Sequence, residues 1–336
     1  MYRIIEVGCG GMGNPWVQNA IARGDCEIVA LVDIVIEHAL EYKEKYKLNC
    51  PVFDHIDKAL AVVKADILFD TTTPDAHHEI RTKGLKAGMV VLGEKPLAAS
   101  MDEGYDILKV ADEMKINHAV MQNRRYLNSM KKMKDIVSNK ELGDVGLLTA
   151  QFFIGAHFGG FRDLMDNVLI LDMAVHTFDQ ARFVLGDSDP VSVYCHEFNL
   201  PGSWYKGNAS AICVFEFSKG EVFVYSGSWS AEGMSTSWNA DWRMVCEKGS
   251  VTCDGDSPPI IEKVKVQDGF FSQLEKENTA FNYDGRAGHE GCFDEMFDCI
   301  AKGEKCQTDC TDNIKTMSMV FGAIVSAKTG KKVMLG

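Results

Sequence analysis

A strand that runs into glycines and then into a helix constrains this chain more than any other feature. Tyr2-Arg3-Ile4-Ile5-Glu6-Val7 reads as a strand, Gly8-Cys9-Gly10-Gly11-Met12-Gly13 follows it, and helical periodicity begins at Pro15. In this G-x-G-x-x-G spacing, Gly8 permits a tight turn, Gly10 lets the backbone approach a pyrophosphate, and Gly13 allows helix and strand to pack closely. The helix that follows presents unpaired N–H groups and a positive dipole end to an anion. The loop from Gly8 through Gly10, Gly11 and Met12 to Gly13 is therefore a candidate phosphate cradle. The spacing alone also suits a merely flexible loop, and Asp33 decides between the two readings. Asp33 closes the next apolar run, 20 residues after Gly13, where a carboxylate accepts hydrogen bonds from ribose hydroxyls. It would repel a 2′-phosphate, and Ile34 stands where an arginine would suit NADP. The expected cofactor is NAD in preference to NADP.

Up to residue 122 short apolar runs alternate with helical stretches. Ile4–Val7, Ile28–Val32, Ile67–Asp70, Met89–Leu92 and Ala119–Met121 are candidate strands, with helices over Pro15–Arg23, His77–Lys86 and Met101–Met114 between them. Such alternation implies right-handed crossovers and a doubly wound parallel sheet, the Rossmann arrangement of an α/β domain. Beyond residue 145 the pattern changes. Val191–Phe198, Ala209–Phe217, Glu221–Ser230, Trp242–Cys246 and Ile260–Val266 predict an open, mostly antiparallel sheet, in which Ala211, Cys213 and Phe215 alternate with Ser210 and Glu216. Helical pieces over Leu164–Leu185, Glu290–Lys302 and Asp312–Thr329 stand apart from it. The expected organisation is a dinucleotide-binding domain over 1–122 and a C-terminal α+β substrate-binding and oligomerisation domain over 123–336.

Composition narrows the partners. A formal net charge of −13 argues against a broad nucleic-acid surface, which needs clustered Lys and Arg. No apolar run approaches the ~20 residues of a membrane helix, and the first residues read as a strand rather than a signal peptide. A cytoplasmic setting follows as the expectation, with the eleven scattered cysteines as reduced, buried thiols. Cys292, Cys299 and Cys306 recur at seven-residue intervals, but Gly303 interrupts their helix, and neither they nor His77-His78 have the spacing of a metal site. No metal is expected.

Gly93-Glu94-Lys95-Pro96-Leu97 follows the fourth predicted strand, at the carboxyl edge where open α/β sheets bind ligands. A lysine there reaches both a nicotinamide ribose and a reacting carbon–oxygen bond, and Pro96 restricts it to an extended backbone. In isolation a surface turn would be the simpler reading. The tripeptide is one of several motifs in order: the glycine loop, Asp33, Thr72-Thr73-Pro74-Asp75-Ala76-His77, Glu94-Lys95-Pro96, Asn123-Arg124-Arg125-Tyr126, and Asp172-x3-His176-x2-Asp179. In this set the chain resembles, over essentially its whole length, the glucose–fructose oxidoreductase / inositol dehydrogenase / rhizopine-catabolism (Gfo/Idh/MocA) family of oxidoreductases. The resemblance implies that Thr72, Thr73, His77, Glu94 and Lys95 contact the cofactor and that Lys95 acts at the reacting carbon.

Asp172, His176 and Asp179 fall within one narrow sector of a regular helix at ~100° per residue, opposite an apolar face of Ala174, Phe178, Ala181 and Leu185. A lone His176 would read as a structural histidine; flanked by two carboxylates one turn away, it reads as functional. Oxidising an alcohol requires removal of the hydroxyl proton, a general-base task that suits histidine near neutral pH. Asp172 would orient the imidazole or bind a neighbouring hydroxyl, and Lys95 would stabilise developing alkoxide charge. The resemblance implies the same catalytic set, Lys95, Asp172 and His176, with Asp179 touching substrate. It also marks a departure. Relatives commonly carry glycines just before this aspartate, whereas here the run is Asn167-Val168-Leu169-Ile170-Leu171, which puts the substrate's identity in question.

Arg124 either bonds substrate or forms an interdomain salt bridge, and His157 and Arg162, in the loop His157-Phe158-Gly159-Gly160-Phe161-Arg162, are candidates to close over a small polar ligand. Trp229, Trp238 and Trp242 read as sheet packing or a subunit interface. The expected protein is an inositol-dehydrogenase-like enzyme that transfers hydride between nicotinamide and a secondary alcohol of a polyol, cyclitol or sugar, as a homodimer or homotetramer. The alternatives are an enzyme that recycles bound NAD during glycoside cleavage or dehydration, and a non-catalytic NAD-binding regulator.

Overall fold

The computed structural model describes residues 1–336. They form two compact units, one comprising Met1–Gln122 with His289–Ile314 and the other Asn123–Gly288 with Lys315–Gly336. No helix is long and apolar enough to cross a membrane.

The first unit alternates strand and helix: β1 (Tyr2–Val7), α1 (Gly13–Arg23), β2 (Cys26–Val32), α2 (Ile36–Lys45), β3 (Val52–Phe53), α3 (Ile56–Val62), β4 (Ile67–Asp70), α4 (Pro74–Lys86), β5 (Val90–Gly93), α5 (Met101–Met114) and β6 (His118–Val120). All six strands pair in parallel, in the order β3-β2-β1-β4-β5-β6. The near-continuous apolar runs of β2 and β4 follow from burial on both faces. The strand order reverses between β1 and β4, so the glycine loop after β1 and Thr71-Thr72 after β4 share the switch point. Of this unit's strands only β3 escaped the sequence reading, because two residues carry no measurable period.

The second unit contains α6 (Asn128–Ser138), β7 (Val145–Phe153), α7 (Val175–Leu185), β8 (Pro190–Phe198), β9 (Ser210–Phe217), β10 (Val222–Ser228), β11 (Asp241–Cys246), β12 (Gly249–Cys253), β13 (Ile260–Val266) and β14 (Gln273–Asn278). After α8 (Gly288–Lys302) come α9 (Cys310–Thr329) and β15 (Val333–Met334). The nine strands run β14-β13-β12-β11-β7-β10-β9-β8-β15. Every pairing is antiparallel except β7 with β10. The central strand β7 was missed because its Leu147-Leu148-Thr149 core breaks the two-residue alternation. One face of the sheet packs under Met130, Met133 and Ile136 of α6, Phe178, Ala181 and Leu185 of α7, and Met319 and Val320 of α9. The alternation read in β9 holds for Ala211, Cys213 and Phe215, all buried, and for the exposed Glu216. Ser210 departs from it: it is buried and donates to the Ser228 hydroxyl at 2.8 Å.

The expectation that everything after residue 122 forms one domain needs correcting. Residues 289–314 belong to the first unit, and aromatic packing explains why. Phe293 and Phe297 stand one turn apart on α8; Phe293 meets Trp16 edge-on at 4.7 Å, and Phe297 packs against Phe69 and Tyr2 with its ring under Arg23. The chain then covers the edge of β6, where the Val120 amide donates to the Thr308 carbonyl. An unpaired strand edge is thereby closed.

Candidate functional site

The glycine loop is shaped from below and open above. A Cβ on Gly8, whose φ is +99°, would sit 2.7 Å from the Thr71 backbone, and one on Gly13 would sit 2.6 Å from the Gly8 carbonyl oxygen. Around Gly10 and Gly11 the same test meets nothing within 4 Å. No side chain caps the amino end of α1, so its first amides and dipole face that open space. These features fit a bound pyrophosphate. Met12 is partly exposed beside the loop and Ile34 is largely exposed. Asp33 braces the loop, its two oxygens accepting from the Cys9 and Val35 amides at 2.8 Å each. Each carboxylate oxygen keeps a further lone pair for a ribose hydroxyl.

The Glu94-Lys95-Pro96 turn hangs on an arginine that the sequence reading overlooked. Arg81 on α4 is fully buried. Its Nε donates to Asp70 at 2.6 Å, Nη1 donates to the Leu97 carbonyl at 2.7 Å, and Nη2 donates to the Glu94 carbonyl at 2.5 Å. Gly93 is required because a Cβ there would lie 2.7 Å from the guanidinium. Burial raises the Asp70 carboxyl, but the charges of His77 and Arg81 and the Thr72 and Arg81 hydrogen bonds outweigh it and hold the group below the usual range. Glu94, itself buried, accepts from the Trp16 indole at 2.9 Å and from the Lys95 amide. Lys95 is half-buried, ahead of a cis peptide bond to Pro96.

His77 needs reassignment. Its ring is buried, with Nδ1 2.8 Å from the Pro96 carbonyl and Nε2 3.1 Å from the Thr72 carbonyl. Burial first, and Arg81 second, push it down to about 4 against the pull of Asp70, so it is neutral at physiological pH. It ties the Thr72 segment to the Pro96 turn, a positioning task rather than the expected cofactor contact. Thr72 is half-buried and donates its hydroxyl to Asp70 at 2.6 Å, while Thr73 is exposed at the amino end of α4. Both stand at the switch point of the sheet.

In the second unit, Asp172 does not sit on a regular α-helix. Leu169–Ala174 is a π-helical turn that passes into α7 at Val175. The wider i→i+5 turn changes the phase on which the one-stripe expectation rested, and such turns often mark functional positions. Asp172 and His176 are half-buried; Asp179 is buried. The apolar face of Ala174, Phe178, Ala181 and Leu185 packs inward as expected.

Asp179 is also corrected. Arg125 grips it with Nε and Nη2 at 2.6 Å each, and the Thr316 hydroxyl donates to it at 2.8 Å. A carboxylate so enclosed positions Arg125 and α7; it does not offer itself to substrate. Arg124, its neighbour, faces elsewhere. It donates to the Trp238 carbonyl and to the Met173 sulfur, and burial pushes its guanidinium down to about 10 against Tyr225, Asp256 and Asp172.

Arg162 is partly exposed and ties the glycine-rich loop to the Asp172 turn. Its Nε donates to Asp172 at 2.6 Å, and its guanidinium lies over Phe158 and Phe161, both exposed. Phe158 in turn packs near Trp229 and Trp238. Asp172, Met173, Arg124, Arg162, Phe158 and Trp238 thus form one partly exposed cluster. His157 stands apart from it. Its ring stacks on Trp204 at 3.6 Å and its Nε2 lies 2.8 Å from Glu232, at an exposed position. Of the tryptophans, Trp229 and Trp242 are buried sheet packing, whereas Trp238 is half-exposed and belongs with the cluster.

One support of the Asp172 turn was missed altogether. Glu197 on β8 accepts from the Asn167 amide at 2.6 Å, and Asn167 has the left-handed φ of 51° that leads into the π-helix. Burial pushes the Glu197 carboxyl up to about 7, with the Asn167 bond opposing. Asparagine at a positive-φ position ahead of a helix is the signal that was available in the sequence.

Comparison with known proteins agrees with these two units. Residues 2–121 match the model of the oxidoreductase family with NAD-binding Rossmann fold, and residues 130–252 match the GFO/IDH/MocA C-terminal domain. An uncharacterized protein of Sinorhizobium fredii, y4oX, is 25% identical over 99% of this chain and 95% of its own length. Inositol 2-dehydrogenase of Rhizobium meliloti is 22% identical over 97% of both chains. The crystal structure of an oxidoreductase from Agrobacterium radiobacter in complex with NAD+, L-tartaric acid and magnesium superposes with a TM-score of 0.86 at 17% identity, covering 99% of this chain and 98% of that one. An NAD-binding Rossmann unit joined to a GFO/IDH/MocA C-terminal domain makes this chain an oxidoreductase of the Gfo/Idh/MocA family.

Proposed function

We propose that the protein is an NAD-dependent dehydrogenase or reductase that acts on a secondary alcohol of a polyol, cyclitol or sugar, with Lys95, Asp172 and His176 as its catalytic residues. The observation that carries this reading is Asp172, held by Arg162 on a π-turn one helical turn ahead of half-buried His176. A histidine beside an oriented carboxylate suits removal of a hydroxyl proton at neutral pH. Inositol 2-dehydrogenase among the relatives and tartaric acid, named in the complex of a structural neighbour, support a polyhydroxylated substrate.

Gly8, Gly10, Gly11, Met12, Gly13 and Asp33 would hold the NAD phosphates and ribose, with Thr72, Thr73, Glu94 and Lys95 along the rest of the cofactor. Bound NAD supplies a hydride acceptor; the hydride chemistry is its own. His176 takes the hydroxyl proton at its imidazole. Asp172 orients that group or binds an adjacent hydroxyl. The Lys95 ammonium balances the charge that develops on the substrate oxygen. Arg124 and Arg162, with Phe158 and Trp238 beside them, would bind the remaining hydroxyls. Bulky Val168 and Leu169, both buried just ahead of Asp172, set the turn's shape and so bear on which substrate fits.

The test is an NADH-formation assay across cyclitols, aldoses, sugar acids and small hydroxy acids. At least one polyhydroxylated compound should reduce NAD with turnover, and Asp33→Ala should weaken NAD binding. Turnover with NADP in preference to NAD, or a cofactor that survives purification and never accumulates as NADH, would overturn the reading. We further propose a cytoplasmic homodimer or homotetramer, measurable by sedimentation.

A further inference from the structure

We propose that Glu295, Cys299 and Cys306 form a site for one soft or borderline divalent cation of the zinc type, which pins the segment after α8 back onto that helix within the first unit. The Glu295 carboxylate and the Cys299 and Cys306 thiols bring their ligand atoms within 4.8 Å of one another, with both cysteines buried and Glu295 half-buried.

The site is assembled by local geometry. Glu295 and Cys299 stand one turn apart on α8, on the same face. Gly303, with φ +69°, ends the helix, and the Glu304 amide donates back to the Cys299 carbonyl. That reversal returns Cys306 to Cys299. The glycine that interrupts the seven-residue cysteine recurrence therefore creates the cluster instead of excluding it. In a tetrahedral zinc site a thiolate–carboxylate edge is about 3.5 Å and a thiolate–thiolate edge about 3.8 Å, from metal–ligand bonds of roughly 2.3 and 2.0 Å. Cys299 Sγ already lies 3.5 Å from Glu295 Oε1. Closing the widest separation asks for about 1 Å of movement. Gln307 donates its amide to the same carboxylate oxygen at 2.9 Å, the supporting hydrogen bond that fixes a ligating carboxylate.

Thiolate sulfur selects zinc-type cations over magnesium or calcium, which prefer all-oxygen sites. Binding would release two thiol protons to solvent, leave all oxidation states unchanged, and keep a fourth position for water. Thr308, two residues beyond Cys306, receives the Val120 amide from the edge of β6, so the ion would fasten the segment that covers this edge of the Rossmann sheet.

The full-length protein, reduced and freed of metal by a chelator, would be titrated with cobalt(II) alone. The expected result is one equivalent bound, with near-ultraviolet thiolate charge-transfer absorption and tetrahedral visible bands, displaced by zinc and unaffected by excess magnesium. Cys299→Ser and Cys306→Ser should each weaken cobalt binding at least about 100-fold, while Cys50→Ala leaves it unchanged. The wild-type titration stands alone if a serine variant fails to fold. Absence of the charge-transfer band, bands that survive both serine variants, or a Cys299–Cys306 disulfide with no cobalt binding after reduction would each overturn the proposal.

Discussion

The Lys95 turn of the first unit and the Asp172 turn of the second are held in opposite ways. Behind Lys95, Arg81 and Asp70 are both fully buried, and besides Asp70 the guanidinium serves the backbone carbonyls of Glu94, Pro96 and Leu97. Asp172 relies on Arg162 from a glycine-rich loop, in a pair whose side chains keep 30% and 14% of their exposure. A buried pair is hard to break because the surviving charge is stranded; a half-exposed pair exchanges with water and costs little to open. One turn is therefore a fixed anchor, whereas the other is held by a pair that opens at little cost.

Breaking the anchor gives the largest effect. Arg81→Met leaves Asp70 buried without its cation, and stability in urea should fall by about 3–5 kcal/mol. Unchanged stability would remove the contrast between the two turns. Next come the groups proposed for catalysis: Lys95→Ala and His176→Ala should each lower kcat by at least ~100-fold, the scale of general acid–base catalysis, with NAD affinity little altered by titration calorimetry. Wild-type turnover in either would cancel the assigned role. Arg162→Ala sharpens the other side of the comparison. Unfolding free energy should change by less than about 1 kcal/mol, as for exposed pairs, while KM for the best substrate rises several-fold.

The smallest effect concerns Glu197 beneath the Asp172 turn. Its carboxyl is raised in the folded state, so the native protein binds more protons than the unfolded chain between the ordinary glutamate range and about 7. Stability should therefore fall as pH rises through that window and level off above it. Glu197→Gln, which keeps an acceptor for Asn167, should flatten this slope, gaining about 2–4 °C in Tm at pH 8 relative to pH 5, the scale of roughly 1 kcal/mol. A slope identical to wild type would assign the pH dependence elsewhere.

What the sequence made legible was whatever depends on neighbours along the chain. The glycine loop follows from φ and close approach, so Gly8 and Gly13 could be read directly. Asp33 follows from a fixed offset within one βαβ unit. Most strands of both sheets follow from period; β3 and β15 are too short, β7 has an apolar run that hides its alternation, and β12 and the wholly exposed β14 were not read either. Asp172 and His176 stood out as candidate acid–base groups because they share a helical segment with Asp179.

The tertiary structure decided whatever depends on partners far away in the chain. His77 and Asp179 belong to residue types that serve catalysis and structure equally well, and only Pro96, Thr72, Arg125 and Thr316 around them settle the matter. Arg81 gave no local sign of its role, since its burial depends on carbonyls up to 16 residues away. The return of residues 289–314 to the first unit rests on Phe293 and Phe297 finding Trp16 and Phe69 across the chain. Period and spacing encode local backbone geometry, but a buried charge or ring acquires its meaning from the contacts that folding brings to it.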